Sequence, residues 1–134
     1  VSHITPLKRS GGYNFDVICR MCNDNGWQIM SKKTFKAYQA DQACDFAIKV
    51  PGAEYEIGVV QGADGYEMKF DTWFRGGLAP HIGETGTVLE DNYNIANTKT
   101  TAEYYGHSWQ ECMSDNGEKQ IVITLKEEFG SETY

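Results

Sequence analysis

The chain has no run of about 18 apolar residues, so the sequence offers no transmembrane helix of ordinary length. It contains no G-x-x-x-x-G-K-[ST] stretch, no G-x-S-x-G elbow and no H-E-x-x-H pair, so a P-loop, a hydrolase nucleophile and a zincin site are all excluded as motifs. Basic residues are few: twelve Lys and Arg stand against nineteen Asp and Glu, a formal net charge of -7. The twelve do not gather into a patch, and an acidic chain repels phosphate backbones, so no nucleic-acid partner is expected. The acidic excess suits a basic protein partner, but it is also the ordinary composition of soluble cytoplasmic proteins. The opening VSHITPLKRS lacks the apolar centre of a signal peptide. The expected location is therefore cytoplasmic, with no membrane partner.

What is present is the composition of a folded protein: 134 residues, 40% hydrophobic and 13% aromatic. A chain of that length buries roughly two-thirds of its unfolded surface without disulfide or metal staples. It reads as one domain over residues 1–134, with a flexible acidic tail over 127–134 in which Phe129 and Tyr134 are the residues that could dock.

Four cysteines without a secretion signal read as free thiols. In FDVICRMCNDNGW, Cys19 and Cys22 fall with Phe15 and Ile18 on the i, i+3, i+4, i+7 stripe of a helix. Asn14 is its expected N-cap, Asp16 favours its first turn, and Gly26 stops it before Trp27. Packing in the helix core is the leading reading of the pair, with thiol redox or metal binding as the alternative. A zinc site needs four close ligands and only one C-x-x-C occurs. A redox pair belongs at a helix N-terminus, whereas these cysteines sit further in.

SHITPL begins a short edge strand, because Pro6 cannot donate to a ladder. WQIM is a second short strand, and SKKTFKAYQADQA has no clear periodicity. In CDFAIKV, Cys44, Phe46, Ile48 and Val50 alternate with Asp45, Ala47 and Lys49, which predicts a strand with one buried face. Pro51-Gly52 matches a type II turn. Tyr55, Ile57 and Val59 face inward on the next strand, and Tyr66, Met68 and Phe70 on the one after QGADG. Placing Val59 opposite Tyr66 pairs Ile57 with Met68, Tyr55 with Phe70 and Glu56 with Lys69. Glu54, Glu56, Glu67 and Asp71 then read as a solvated outer face.

WFRGGLAPHIGETG reads as a long loop ending near an N-cap at Thr85 or Thr87, and a second helix covers part of VLEDNYNIANTKTTAEYYG. HSWQECM and EKQIVITL flank Asn116-Gly117, a two-residue hairpin signal, with Ile121, Ile123 and Leu125 facing inward. The expected fold class is α+β: a mainly antiparallel sheet of about five or six strands with two helices packed on one face.

No catalytic set emerges. His3, His81 and His107 have no evident catalytic companions, and His107 and Ser108 point to opposite faces of a strand. No catalytic, cofactor-binding or metal residue is assigned. The candidate interaction residues are Trp73, Phe74, Arg75 and His81, aromatic and polar groups at or within a loop that is long for a simple connection.

The segments SHI, NGW, AYQ, CDFAIKV, YEIGVV and YEMKFDTW together resemble a conserved hypothetical family, a domain of unknown function of cyanobacteria, algal plastids and their phages. The matching positions are Ser2, His3, Gly26, Tyr38, Gln39, Asp45, Ile57, Gly58, Tyr66 and Asp71, over about half the chain. Tyr93, Gly106 and QIVITL fit more loosely. Cys44 stands where that family often has alanine, and residues 75–87 differ from it. The resemblance implies a small α+β protein without an established enzyme activity. The expected function is a nonenzymatic protein-interaction or assembly factor, binding a protein partner or a second copy of itself. The alternatives are a small-ligand or nucleotide-binding protein, phage-encoded in one version, and a thiol redox or metal protein.

Overall fold

The computed structural model describes residues 4–127. The expected tail, its Phe129 and Tyr134, and Ser2 and His3 therefore lie outside the described residues, apart from Glu127. The fold is α+β, and the chain forms two compact units, Val1–Tyr93 and Asn94–Tyr134.

The first unit is built on a five-stranded antiparallel sheet. Across the sheet the strands run β1 (Ile4–Leu7), β7 (Tyr66–Asp71), β6 (Glu56–Gln61), β5 (Phe46–Lys49) and β2 (Gln28–Met30). β1 carries Pro6 and lies at an edge, where a missing N–H costs no ladder bond. Between β2 and β5 the chain makes a small separate ladder, β3 (Thr34–Phe35) with β4 (Gln42–Ala43).

α1 (Phe15–Asn25) has the expected ends. The Val17 amide donates to Asn14 Oδ1 at 3.2 Å, and Gly26 adopts φ 70°, a left-handed conformation that L side chains rarely take. Its buried stripe is Val17, Ile18, Met21 and Cys22. Cys19 and Phe15 are only half-buried, so the stripe is rotated from the expected one and holds one cysteine of the pair.

The Pro51-Gly52 turn forms as expected: the Ala53 amide donates to the Val50 carbonyl at 3.0 Å, with Gly52 at φ 87°. The register differs. Val59 pairs with Met68 and Gln61 with Tyr66, a slip of two residues from the expected pairing. An even slip leaves every side chain on its face, so Ile57, Val59, Met68 and Phe70 are all buried as anticipated. The slip arises because β6 runs on through Gln61 and the connection tightens to Gly62–Gly65, where the Gly62 amide donates to the Gly65 carbonyl at 2.6 Å.

Both faces of the sheet are covered. On one, Phe15 of α1 packs against Phe46 and Tyr66 at ring distances of 4.5 and 5.5 Å, and Gly86 abuts Phe70. On the other, Phe35, Ala37, Cys44 and Ala47 form a second apolar cluster, with the Phe35 ring lying flat over Gly58, where a Cβ would overlap it. Cys44 thus sits on the opposite face from the one expected. Its amide donates to Lys33 O at 2.9 Å, and the chain bends at Asp45 before β5 begins, which breaks the alternation.

That second layer also explains two carboxylates expected in solvent. Glu56 is 2% exposed and Asp71 is 0% exposed. Glu56 accepts from the Lys36 amide at 2.9 Å and from Lys32 Nζ at 2.8 and 3.1 Å. Asp71 accepts from the amides of Tyr38 and Trp73. Burying a carboxylate is tolerated only with partners of this kind.

Residues 73–86 are more ordered than a plain loop: a 3-10 turn (Phe74–Gly76) and a short helix α2 (Ala79–Ile82) lead to α3 (Thr87–Tyr104). The Glu90 amide donates to Gly86 O at 2.9 Å, which makes Gly86 the cap in place of Thr85 or Thr87.

The second unit holds the rest of α3 and the hairpin of β8 (Ser108–Met113) and β9 (Lys119–Thr124). Its turn has three residues. Gly117 (φ 85°) donates to Ser114 O at 2.9 Å, and the Ser114 amide donates to Glu118 O at 2.8 Å. The expected inward face is poorly covered: Ile121 is half-buried, Ile123 is 38% exposed and Leu125 69% exposed. Lys99 is buried instead, paired with Glu111 and 4.6 Å from the Trp109 ring centroid.

Candidate functional site

Three of the four sequence-derived candidates come together. Trp73 leaves the end of β7, and its ring lies 5.7 Å from that of Phe74. The Arg75 guanidinium sits 5.7 Å from the Trp73 centroid and 5.6 Å from the Phe74 centroid, within cation–π range of both. Phe74 is 74% exposed. His81 is exposed and lies beside Gly52, where an added Cβ would be 3.5 Å from its Nε2.

Two further aromatics complete the cluster. The Tyr38 ring meets Trp73 edge-on at 4.3 Å, and the Tyr55 ring is nearly parallel to Trp73 at 6.5 Å. Tyr38 was hidden in the aperiodic SKKTFKAYQADQA stretch. No local pattern marks it: the link exists in the fold, where the buried Asp71 has two oxygens that accept from the amides of Tyr38 at 3.0 Å and Trp73 at 2.9 Å. One carboxylate therefore fixes the backbone beneath both rings. Burial pushes the Tyr55 phenol above its ordinary range, with the Asp71 and Glu54 carboxylates adding to the effect.

The turn itself is anchored from below. Gly76 O accepts from the amides of Glu54 at 2.9 Å and Tyr55 at 3.1 Å. Gly76 is buried flat against the Tyr55 ring, and a Cβ there would overlap it. The result is a raised, preorganised surface of aromatic and guanidinium groups. Such a surface can bind by stacking, by apolar contact and by donation to a carboxylate or carbonyl.

A second cluster has a structural role. Glu90 pairs with Arg9 at 3.0 Å and accepts from the Tyr13 hydroxyl, while the Asn14 amide donates to Tyr93 Oη at 2.9 Å. Burial, followed by the bond to Glu90, raises the Tyr13 phenol far above its usual range. These bonds tie the entry of α1 to the first turns of α3. Nearby, a shallow groove of about 330 Å³ lies between residues 11–15 and 64–66, at the lower end of the range for small-ligand sites.

Cys19, Cys22 and Cys44 are poorly suited to thiolate chemistry. Burial, reinforced by Cys19, pushes the Cys22 thiol up to about 12. Burial also raises Cys19, with Asp16 adding, and raises Cys44, whose Sγ donates to Lys32 O at 3.2 Å. That is the opposite of the thiolate character on which redox exchange depends. Among the described residues, no three His, Cys, Asp or Glu side chains gather as a metal site would need. Among them, too, no helix is long and apolar enough to cross a membrane. The chain matches no protein-family model, no curated protein and no solved structure.

Proposed function

We propose that this chain is a nonenzymatic protein-interaction or assembly factor that docks a protein partner on the surface made by Tyr38, Trp73, Phe74 and Arg75. The observation that carries the reading is Phe74, 74% exposed on a turn whose backbone is fixed from beneath. Phe74 does not stand alone but adjoins Trp73 and Arg75, a contiguous patch is what marks an interaction surface, and Trp, Tyr and Arg are the residue types that dominate interface energetics. Preorganisation supports the same reading, because rings already held in place lose little freedom on binding.

The resemblance to the family of cyanobacteria, plastids and phages implies no established enzyme activity, which is compatible with a nonenzymatic role. Tyr38 and Asp71 are among the positions that carry it, and Trp73 closes the YEMKFDTW segment. The charge of -7 disfavours a nucleic-acid partner and suits a cytoplasmic protein.

The test is a quantitative comparison of partners retained through gentle purification by the native chain, Phe74→Ala and Asp91→Ala, the last at an exposed control position. A protein retained by the native chain and the control, and lost by Phe74→Ala, supports the reading. Equal retention by all three contradicts it.

A further inference from the structure

We propose that β9 pairs with β9 of a second copy of this chain, in antiparallel two-fold register centred on Ile123. This goes beyond the aromatic-patch reading: it uses a different surface and stands even if that patch proves inert.

The backbone shows which groups are available. The Ser114 amide donates to Glu118 O, and Ser114 O accepts from the Gly117 amide beside it, so residues 114 and 118 take the place of a hydrogen-bonded pair at the turn. Such pairs alternate along an antiparallel ladder, and the register places Cys112 opposite Gln120, Gln110 opposite Val122 and Ser108 opposite Thr124. The even-numbered residues of β9 therefore bond to β8. The N–H and C=O groups of Lys119, Ile121 and Ile123 point away from it. The Lys126 amide, donating to His107 Nδ1 at 2.9 Å, keeps the same parity. Among the described residues this sheet has two strands, so β9 keeps one edge open. A two-stranded ribbon is marginal alone, and an open apolar edge is a template for another strand.

The side chains select the partner. Lys119, Ile121, Ile123, Leu125 and Glu127 occupy the odd positions from β9 into its extension. Antiparallel pairing about Ile123 places Ile123 opposite itself, Ile121 opposite Leu125 and Lys119 opposite Glu127. The sequence is thus complementary to its own reverse: an apolar centre with a cation at one end and an anion at the other. A two-fold operator uses each opposite-charge pair twice, as an isologous interface requires. Lys119 also lies 3.8 Å from Glu111 of its own chain, which holds it on this face. The same operation on β8, centred on Glu111, sets two like charges against each other, so its edge is the poorer choice. Pairing through β9 covers Ile123 and Leu125, exposed at 38% and 69%.

The test is sedimentation equilibrium of the full chain over a concentration series, with amide hydrogen exchange on the same samples. The expected mass at high concentration is twice 15.1 kDa. The amides of Ile121 and Ile123 should gain protection with concentration, while that of Val122, already bonded within the hairpin, should not. Glu127→Lys should weaken the dimer about tenfold, because two exposed pairs become repulsive. Adding Lys119→Glu should restore it. A chain monomeric at every concentration, a dimer untouched by Glu127→Lys, a double variant no tighter than the single, or a dimer abolished by Phe74→Ala overturns the proposal.

Discussion

Replacing Asp71 by asparagine tests how the aromatic surface is held in place. The side chain keeps its size and loses its charge, in a site with 0% exposure. The native carboxylate offers one oxygen to the Tyr38 amide and the other to the Trp73 amide, at 3.0 and 2.9 Å. An asparagine keeps one oxygen and turns an NH2 toward the other donor. One backbone N–H is then left buried without an acceptor, at a cost of about 1–3 kcal/mol. For a chain of this size about 2 kcal/mol lowers Tm by roughly 6–10 °C. Phe74→Ala removes a side chain that is largely in water and should move stability by no more than about 0.5 kcal/mol. Thermal and urea unfolding followed by tryptophan fluorescence measure both. Phe74→Ala should abolish partner retention at unchanged stability, while Asp71→Asn should reduce both together. An Asp71→Asn protein that melts with the native chain would refute the claim that this carboxylate fixes the two segments.

Gly58→Ala drives a methyl into the Phe35 ring across the sheet and should cost about 1–3 kcal/mol in urea unfolding, the usual penalty of overpacking. In native protein, Cys112 is exposed and should react with a thiol reagent well before Cys22, which is buried; mass spectrometry of the labelled chain reads the order. The Cys22 thiol also makes stability fall in alkali. Above its ordinary value of 9.0 the unfolded chain releases the thiol proton, while the folded chain keeps it to about 12. The contribution is therefore complete below pH 9 and lost as pH rises toward 12, on the order of 4 kcal/mol in all, and urea midpoints across that window measure it. Glu111 is held below the usual carboxylate range by its bond to Lys99. Protonating it, or substituting Glu111→Gln, should loosen hydrogen-exchange protection in the β8–β9 hairpin, an effect present above the ordinary carboxylate pKa and lost as pH falls below it.

The elements written in local chemistry were legible in the sequence. Asn14 and Gly26 bound a helix because a short acceptor and a residue free of Cβ belong at those ends, and Pro51-Gly52 turns the chain for reasons confined to two residues. What depends on distant partners was not legible. Glu56 and Asp71 alternate with apolar residues as solvent-facing groups do, and only the return of residues 32–45 across the sheet buries them. The apolar positions of β9 look like an inward face, yet the described chain covers them poorly. In the candidate site, Trp73, Phe74 and Arg75 adjoin in sequence and so were found together. Tyr38 reaches them only in the fold, through its ring contact with Trp73 and through a carboxylate 33 residues away in sequence.

The most direct measurement is site-specific photocrosslinking, with a photoreactive amino acid placed at Phe74 and, as a control, at the exposed Asp91. One defined protein adduct is expected from position 74, absent from position 91 and suppressed by Arg75→Ala. No adduct at position 74, or the same adducts from both positions, would contradict the proposed docking surface.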